Sequence, residues 1–154
     1  MTTTTILVSA TDTVLADINA LLPQLRSDPE QQSGSLDDLR DIVENNWTRM
    51  VVARDGERIV GMATLHVVNN VGKRVGHVDD VVVDAAHRRR GMAEAIMRHL
   101  IAVARDMQVS QLRLTSRPAR ADANRLYPRL GFTIGETNLY VLKLGNSELL
   151  DLPK

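Results

Sequence analysis

The stretch VDDVVVDAAHRRRGMAEAIM, Val78 to Met97, decides how the rest of this chain is read. Val81, Val82 and Val83 form an unbroken run of β-branched apolar residues, as expected of a strand covered on both faces. Arg88, Arg89 and Arg90 follow, and Gly91 opens a segment in which Ile96, Met97, Leu100, Ile101, Val103, Ala104 and Met107 recur at helical spacing. A strand therefore hands over to a helix through a short basic loop. The start of such a helix presents backbone N–H groups without intrahelical partners, together with the positive end of the helix dipole. That combination suits a phosphate. Gly91 keeps side-chain bulk away from the approach and Ala93 adds little, so a pyrophosphate fits on the amides of Arg89, Arg90, Gly91, Met92, Ala93 and Glu94. A solvated basic loop would carry the same three arginines, and the cluster alone leaves both readings open.

The totals narrow the choice. A chain of 154 residues with 44% hydrophobic and 25% charged residues is expected to form one soluble globular domain over 1–154. Lys+Arg and Asp+Glu both number 19, so no overall basic field points to nucleic acid. The chain has no cysteine, which removes disulfides, thiolate metal sites and a cysteine nucleophile, and fits a cytoplasmic location. MTTTTILVSA lacks the basic start and long apolar run of a secretory signal, and no apolar run is long enough to span a bilayer, so no membrane partner is expected. The histidines His66, His87 and His99 form no HExxH or comparable ligand cluster, and no metal is expected. His99 reads as an exposed helix position.

Outward from the central stretch, the elements alternate. Ile6 to Ala10 reads as a first strand, and Thr11 or Asp12 caps a helix carrying Val14, Leu15, Ile18, Leu21 and Leu22, which Pro23 ends or kinks. Ser27 to Ser35 reads as a loop, and Ser35 with Asp38 as the capping box of a second helix. Asp28, Glu30, Asp37, Asp38, Asp41 and Glu44 there form either a solvated face or a lip that attracts an amine. Trp47 to Arg54 and Ile59 to Val68 read as a hairpin about Asp55-Gly56, and Asn69 to Arg74 as the turn into a strand from Gly76 to Asp84. After the helix Gly91–Gln108 come a strand Val109–Thr115, a short helix Ala119–Leu130 closed by Gly131, and strands Phe132–Ile134 and Leu139–Leu144. The tail 145–154 is uninformative. The order is mixed α/β (α+β): a mostly antiparallel sheet, about four helices, and one strand–helix–strand crossover whose flanking strands are parallel.

Arg88, Gly91 and Ala93 satisfy Gln/Arg-x-x-Gly-x-Gly/Ala, and ANRLYPRLGF, Ala123 to Phe132, supplies a short helix with a Tyr and a closing Leu-Gly-Phe. On these two pieces, in this order, the chain resembles the GNAT superfamily of acetyl-CoA-dependent N-acetyltransferases, most clearly over residues 47–144. Where many members carry Asn seven residues before the Tyr, this chain has Arg120, with Asn124 three before it.

The resemblance implies a GNAT-like fold with splayed central parallel strands. It implies that acetyl-CoA lies with its pantetheine arm along Val81, Val82 and Val83 and its pyrophosphate on Arg88 to Glu94, with Asn124 and Arg129 contributing from the later helix. It also implies direct transfer to a primary amine, with Tyr127 as the proton donor to sulfur, and the chain's modest size leans toward a small molecule as the acceptor. His77, Asp79 and Asp80 are the candidates for the base, and the sequence leaves open which of them, or water, serves. Alternation along an unbroken strand would put His77 and Asp79 on one face, and a bulge would change which acid faces the cleft. A protein N-terminus or lysine as acceptor, or a non-catalytic acyl-CoA-binding module, are the rival readings, and the resemblance allows a homodimer.

Overall fold

The computed structural model describes residues 2–25 and 33–145. Its elements are strand β1 (Thr2–Ile6), helices α1 (Asp12–Leu25) and α2 (Leu36–Glu44), and strands β2 (Thr48–Asp55), β3 (Arg58–Asn70) and β4 (Lys73–Val83). A 3-10 turn over Ala85–His87 leads into helix α3 (Met92–Asp106), followed by strand β5 (Gln111–Arg113) and helix α4 (Ala121–Arg129). The five strands form one sheet in the order β1-β2-β3-β4-β5. The first three pairings are antiparallel, whereas β4 and β5 are parallel, joined by the α3 crossover. The mixed sheet, the four helices and the parallel pair agree with the sequence reading.

Two apolar clusters sandwich this sheet, and the alternation of side chains along each strand feeds both. Val51, Ala53, Val60, Ala63, Val81 and Val83 pack with Met92, Ile96, Met97 and Leu100 of α3. Val52, Ile59, Met62 and Val82 pack on the opposite face with Val14, Ile18 and Leu21 of α1 and Leu39 of α2. The three valines are thus consecutive because β4 is covered on both sides. Gly61 allows α3 to sit close. A Cβ there would lie 2.8 Å from the Ile96 Cδ1 and 3.3 Å from the Val82 carbonyl oxygen.

Caps set the helix boundaries. The Val14 amide donates to the Thr11 hydroxyl at 3.2 Å, and Ser35 and Asp38 form the reciprocal capping box expected of α2. The bond from the Ser35 amide, and then that from the Ser35 side chain, hold the Asp38 carboxyl below its ordinary range.

Several expectations need correction. The first strand is Thr2–Ile6, because the threonine tract itself pairs with β2 in the register Thr2↔Asp55 to Ile6↔Val51. β-Branched threonine serves in a strand as well as valine does. Pro23 lies inside α1, which continues to Leu25. His99 is half-buried, its Nδ1 within 3.0 Å of the Thr4 hydroxyl across to β1. Phe132–Ile134 and Leu139–Leu144 form no strands, since no ladder partner adjoins them. The loop expected over Ser27–Ser35 lies in large part outside the described residues, as do Asp28 and Glu30. Among the described residues no helix is long and apolar enough to cross a membrane.

Candidate active site

The basic loop is anchored before the arginines begin. His87 reaches Asp84 through Nδ1 at 2.9 Å and Asp55 of β2 through Nε2 at 3.1 Å. From α1, the Gln24 amide donates to Asp84 Oδ1 at 2.8 Å, and its carbonyl oxygen accepts from the Ala85 amide at 2.8 Å. The Gln24 bond and then the His87 bond hold the Asp84 carboxyl below its ordinary range. The turn that follows needs left-handed backbone at Arg89 (φ 63°) and at Gly91 (φ 74°), the N-cap of α3. A Cβ on Gly91 would meet nothing within 4 Å. Glycine is therefore required there by conformation, with open space beside it.

That space faces unpaired donors. The first bond running back from α3 joins the Ala95 amide to the Gly91 carbonyl at 3.0 Å, and no side chain caps the helix. Among the described residues, the amides of Met92, Ala93 and Glu94 thus have no backbone acceptor. Glu94 is turned aside, its carboxylate paired with Arg98 at 2.8 Å and with Arg129 at 3.5 Å.

The second element is the free edge of β4. Its ladder with β5 covers Val75↔Gln111 to His77↔Arg113 and then stops. Beyond that point the two strands diverge around a cleft of about 570 Å³, whose walls include Val78, Asp79, Asp80, Val81, Ser116 and Tyr127. In the β3 ladder the register shifts between Thr64↔Asp79 and Met62↔Val82, which places a bulge in β4 at Asp80, whose φ is 55°. The bulge puts both acids at the cleft wall instead of one, an outcome that strict alternation does not give. Asp79 also lies 3.7 Å from His66 Nε2.

Guanidiniums hold the carbonyls of this edge. Arg88 Nε donates to the Val83 oxygen at 3.0 Å, and Arg120 Nη2 to the Val81 oxygen at 2.7 Å. Tyr127 is buried, with its ring edge-on to Phe132 at 5.9 Å. Burial pushes its phenol above the ordinary value of 10.0, and the nearby charge of Arg120 partly opposes that rise.

The candidates named from sequence are thus gathered unevenly. Asp79, Asp80, Val81 and Tyr127 share one cleft, and Val83 with Arg88 to Glu94 continues from it to the start of α3. Val82 points into the α1 side of the core. His77 sits opposite His66 in the β3–β4 ladder and is not part of the cleft wall. Asn124 is engaged in structure, its Nδ2 donating to the Arg117 carbonyl at 2.9 Å and so fixing the turn before α4. Three cleft residues escaped the sequence reading. Arg117, whose Nη2 donates to the Leu25 carbonyl at 3.0 Å, and Arg120 reach it from that same turn. Ser116 adds a buried hydroxyl with no hydrogen-bond partner among the described residues. Arg120 had a signal, since it stands where the resemblance expects Asn; Ser116 had none.

Comparison with known proteins bears on this geometry directly. The model of the acetyltransferase (GNAT) family matches residues 15–132, from α1 to the aromatic residue packed on Tyr127. The chain belongs to that family. Glucosamine 6-phosphate N-acetyltransferase 1 of Oryza sativa subsp. japonica is 41% identical over 59 residues, which are 38% of this GNAT chain and 34% of the rice protein. The chain spans about a third of the length of the curated relatives it matches. Among solved structures, an acetyltransferase of Trypanosoma brucei is 24% identical with a TM-score of 0.74, covering 93% of this chain and 100% of its own. An aminoglycoside acetyltransferase from an uncultured soil metagenomic sample reaches a TM-score of 0.80 at 15% identity, covering 94% and 97%. Both share the fold.

Proposed function

We propose that this GNAT chain is an acetyl-CoA-dependent N-acetyltransferase that transfers the acetyl group directly to a primary amine of a small molecule. One observation carries the reading. Unpaired amides at the start of α3, the open edge of β4 and the buried Tyr127 follow one another along a single surface ending in the cleft.

Three features fit acetyl-CoA. The amides of Met92, Ala93 and Glu94 would hold the diphosphate at the positive end of α3, with the side chains of Arg89 and Arg90 beside them. The open space at Gly91 leaves room for it. The β4 edge from Val81 to Val83, unpaired by β5, would hold the pantetheine arm as an added strand, once Arg120 has released the Val81 carbonyl and Arg88 that of Val83. When bound, this cofactor supplies an activated acetyl thioester.

The chain's own residues then handle protons. Tyr127 Oη keeps its proton through neutral pH, because burial disfavours the phenolate, and would act as general acid by giving that proton to the sulfur that departs as the acetyl C–S bond breaks. Asp79 and Asp80 attract the acceptor as an ammonium. A carboxylate is a far weaker base than an amine, with ordinary values of about 3.9 against about 10.4. The acid therefore orients the amine and takes its proton, through water, only as that proton becomes acidic during attack. Without cysteine no thiol-linked acyl-enzyme is available, which favours direct transfer.

The name of the rice relative supports an amine on a small molecule, since glucosamine 6-phosphate is an aminated sugar. A panel of amino sugars, polyamines and amino acids, incubated with acetyl-CoA while free thiol is measured, tests the assignment. Thiol release that depends on a small amine is expected. Release only with peptide N-termini or lysines would move the acceptor to protein, and acetyl-CoA binding without turnover on any amine would reduce the chain to a binding module.

A further inference from the structure

Both signs of charge meet in the cleft. Asp79 and Asp80 line it from β4, and Arg117 and Arg120 line it from the turn before α4. Arg117 reaches back to the end of α1, where it donates to the Leu25 carbonyl at 3.0 Å. Arg120 is half-buried, and among the described residues it makes no ion pair. Its bond is the one to the Val81 carbonyl, which occupies one of several N–H donors. A guanidinium withdrawn from water is costly unless a counter-charge or a full set of acceptors meets it. Other half-buried arginines of this chain are better satisfied. Arg49 Nη1 spreads over three carbonyls at 2.8–3.3 Å, and Arg74 stacks on Trp47 at 4.8 Å while donating to Asn69 and the Met107 carbonyl.

Cofactor binding would take away even the bond that Arg120 has. A pantetheine arm along β4 uses the Val81 carbonyl, so the guanidinium must turn into the cleft. The acids there do not answer it. Asp79 leans to His66 at 3.7 Å, and in the loaded site an acceptor ammonium would meet the carboxylates of Asp79 and Asp80. A positive charge then stands beside the acceptor with nothing opposite it. The asparagine that the resemblance implies at this position would bring no such charge, so the demand is this chain's own.

We infer that the acceptor amine also carries an anionic group, a carboxylate or a phosphate, and that Arg120, released from Val81, binds it. The planar fork of a guanidinium matches both anions. The inference rests on the acetyltransferase reading above and narrows its acceptor to amines with an acid on the same molecule.

Matched pairs test it: glucosamine with glucosamine 6-phosphate, and β-alaninamide with β-alanine. Each is titrated calorimetrically into the full chain saturated with coenzyme A, where no turnover occurs. In at least one pair the anionic member should bind roughly tenfold or more tightly than its neutral partner, and which pair responds separates phosphate from carboxylate. Arg120→Met should bring the members of that pair to within about twofold of each other, and Arg120→Lys, which keeps the charge, should keep part of the preference. Coenzyme A itself should bind the Met variant no more weakly than the parent. No preference in either pair for the parent overturns the inference, and so does a preference that Arg120→Met leaves unchanged. Thiol release from acetyl-CoA on the same pairs keeps this apart from the activity. Release with neutral amines alone retains the acetyltransferase and overturns the anionic acceptor. An Arg120-dependent anion preference without release retains the anion site and removes the catalytic reading.

Discussion

Arg120 donates from Nη2 to the carbonyl oxygen of Val81 at 2.7 Å, and in doing so fills the edge of β4 that an incoming strand-like ligand would use. The same guanidinium lies near enough to Tyr127 to oppose the rise in its pKa caused by burial. One residue from the turn before α4 thus bears on both the binding edge and the buried phenol. Arg120→Met should remove the competition for the Val81 carbonyl. A net hydrogen bond of about 1 kcal/mol corresponds to roughly fivefold tighter binding of acetyl-CoA. The Tyr127 phenol should also titrate at higher pH than in the parent, followed by ultraviolet absorbance against the exposed Tyr140. Weaker acetyl-CoA binding by the variant would make Arg120 a ligand of the cofactor instead of its competitor.

Tyr127→Phe keeps the ring packed edge-on against Phe132 and deletes only the hydroxyl. Loss of a general acid lowers kcat by about 10²- to 10⁴-fold. KM for acetyl-CoA should stay near the parent value. Because the parent phenol is raised above 10.0, kcat should show no alkaline limb attributable to it below pH 10. Equal kcat in variant and parent would remove Tyr127 from the chemistry.

The bulge distinguishes the acids from the histidine. Asp80→Asn tolerates the left-handed φ of 55° and removes the charge, so it should abolish the low-pH limb of kcat/KM for the amine. His77→Ala, outside the cleft wall, should leave that limb in place. The reverse outcome would return the base to His77.

Asp84 makes a stability prediction whose sign follows from its lowered pKa. The folded form binds its proton less readily than the unfolded chain, so the carboxylate contributes stability above the ordinary value of 3.8. That contribution is lost as pH falls below 3.8 and through the lower folded value. Asp84→Ala should therefore be less stable than the parent at pH 7, by about 1 kcal/mol for each hydrogen bond lost. The gap should narrow in acid, as measured by urea unfolding across pH. A gap that widens on acidification would contradict this sign.

How much of this could be read beforehand differs by element. Val81 to Val83, the α3 periodicity and the Ser35–Asp38 box each follow from local pattern, and local pattern sufficed for strands β2 to β4, the parallel crossover and the capped helices, whereas β1 lies in the threonine tract ahead of the strand expected over Ile6 to Ala10. The loop from Arg88 to Gly91 was legible because helix starts have the same unpaired donors in any fold. The Asp80 bulge was not, since a register shift depends on what β3 offers opposite and leaves no mark in composition. Ser116 and Arg117 line the same cleft as Val81 because the ladder of β5 with β4 stops at Arg113, a feature of two strands distant in sequence. The strand pattern of Leu139 to Leu144 was read correctly as pattern, and failed as structure because a strand exists only where an edge is present to pair with it.

The central claim is that the open turn at Gly91 and the amides behind it hold the diphosphate of acetyl-CoA. Calorimetric titration of acetyl-CoA into the parent, Gly91→Ala and Gly91→Asp tests it most directly. Alanine enters open space and strains a left-handed residue by about 1–2 kcal/mol of folding stability, so its affinity should stay near the parent's. Aspartate adds a like charge at the anion site, worth about 4 kcal/mol per unit charge at 4 Å near a surface, and should weaken binding by roughly a hundredfold or more. A folded Gly91→Asp chain that binds acetyl-CoA as the parent does would contradict the account.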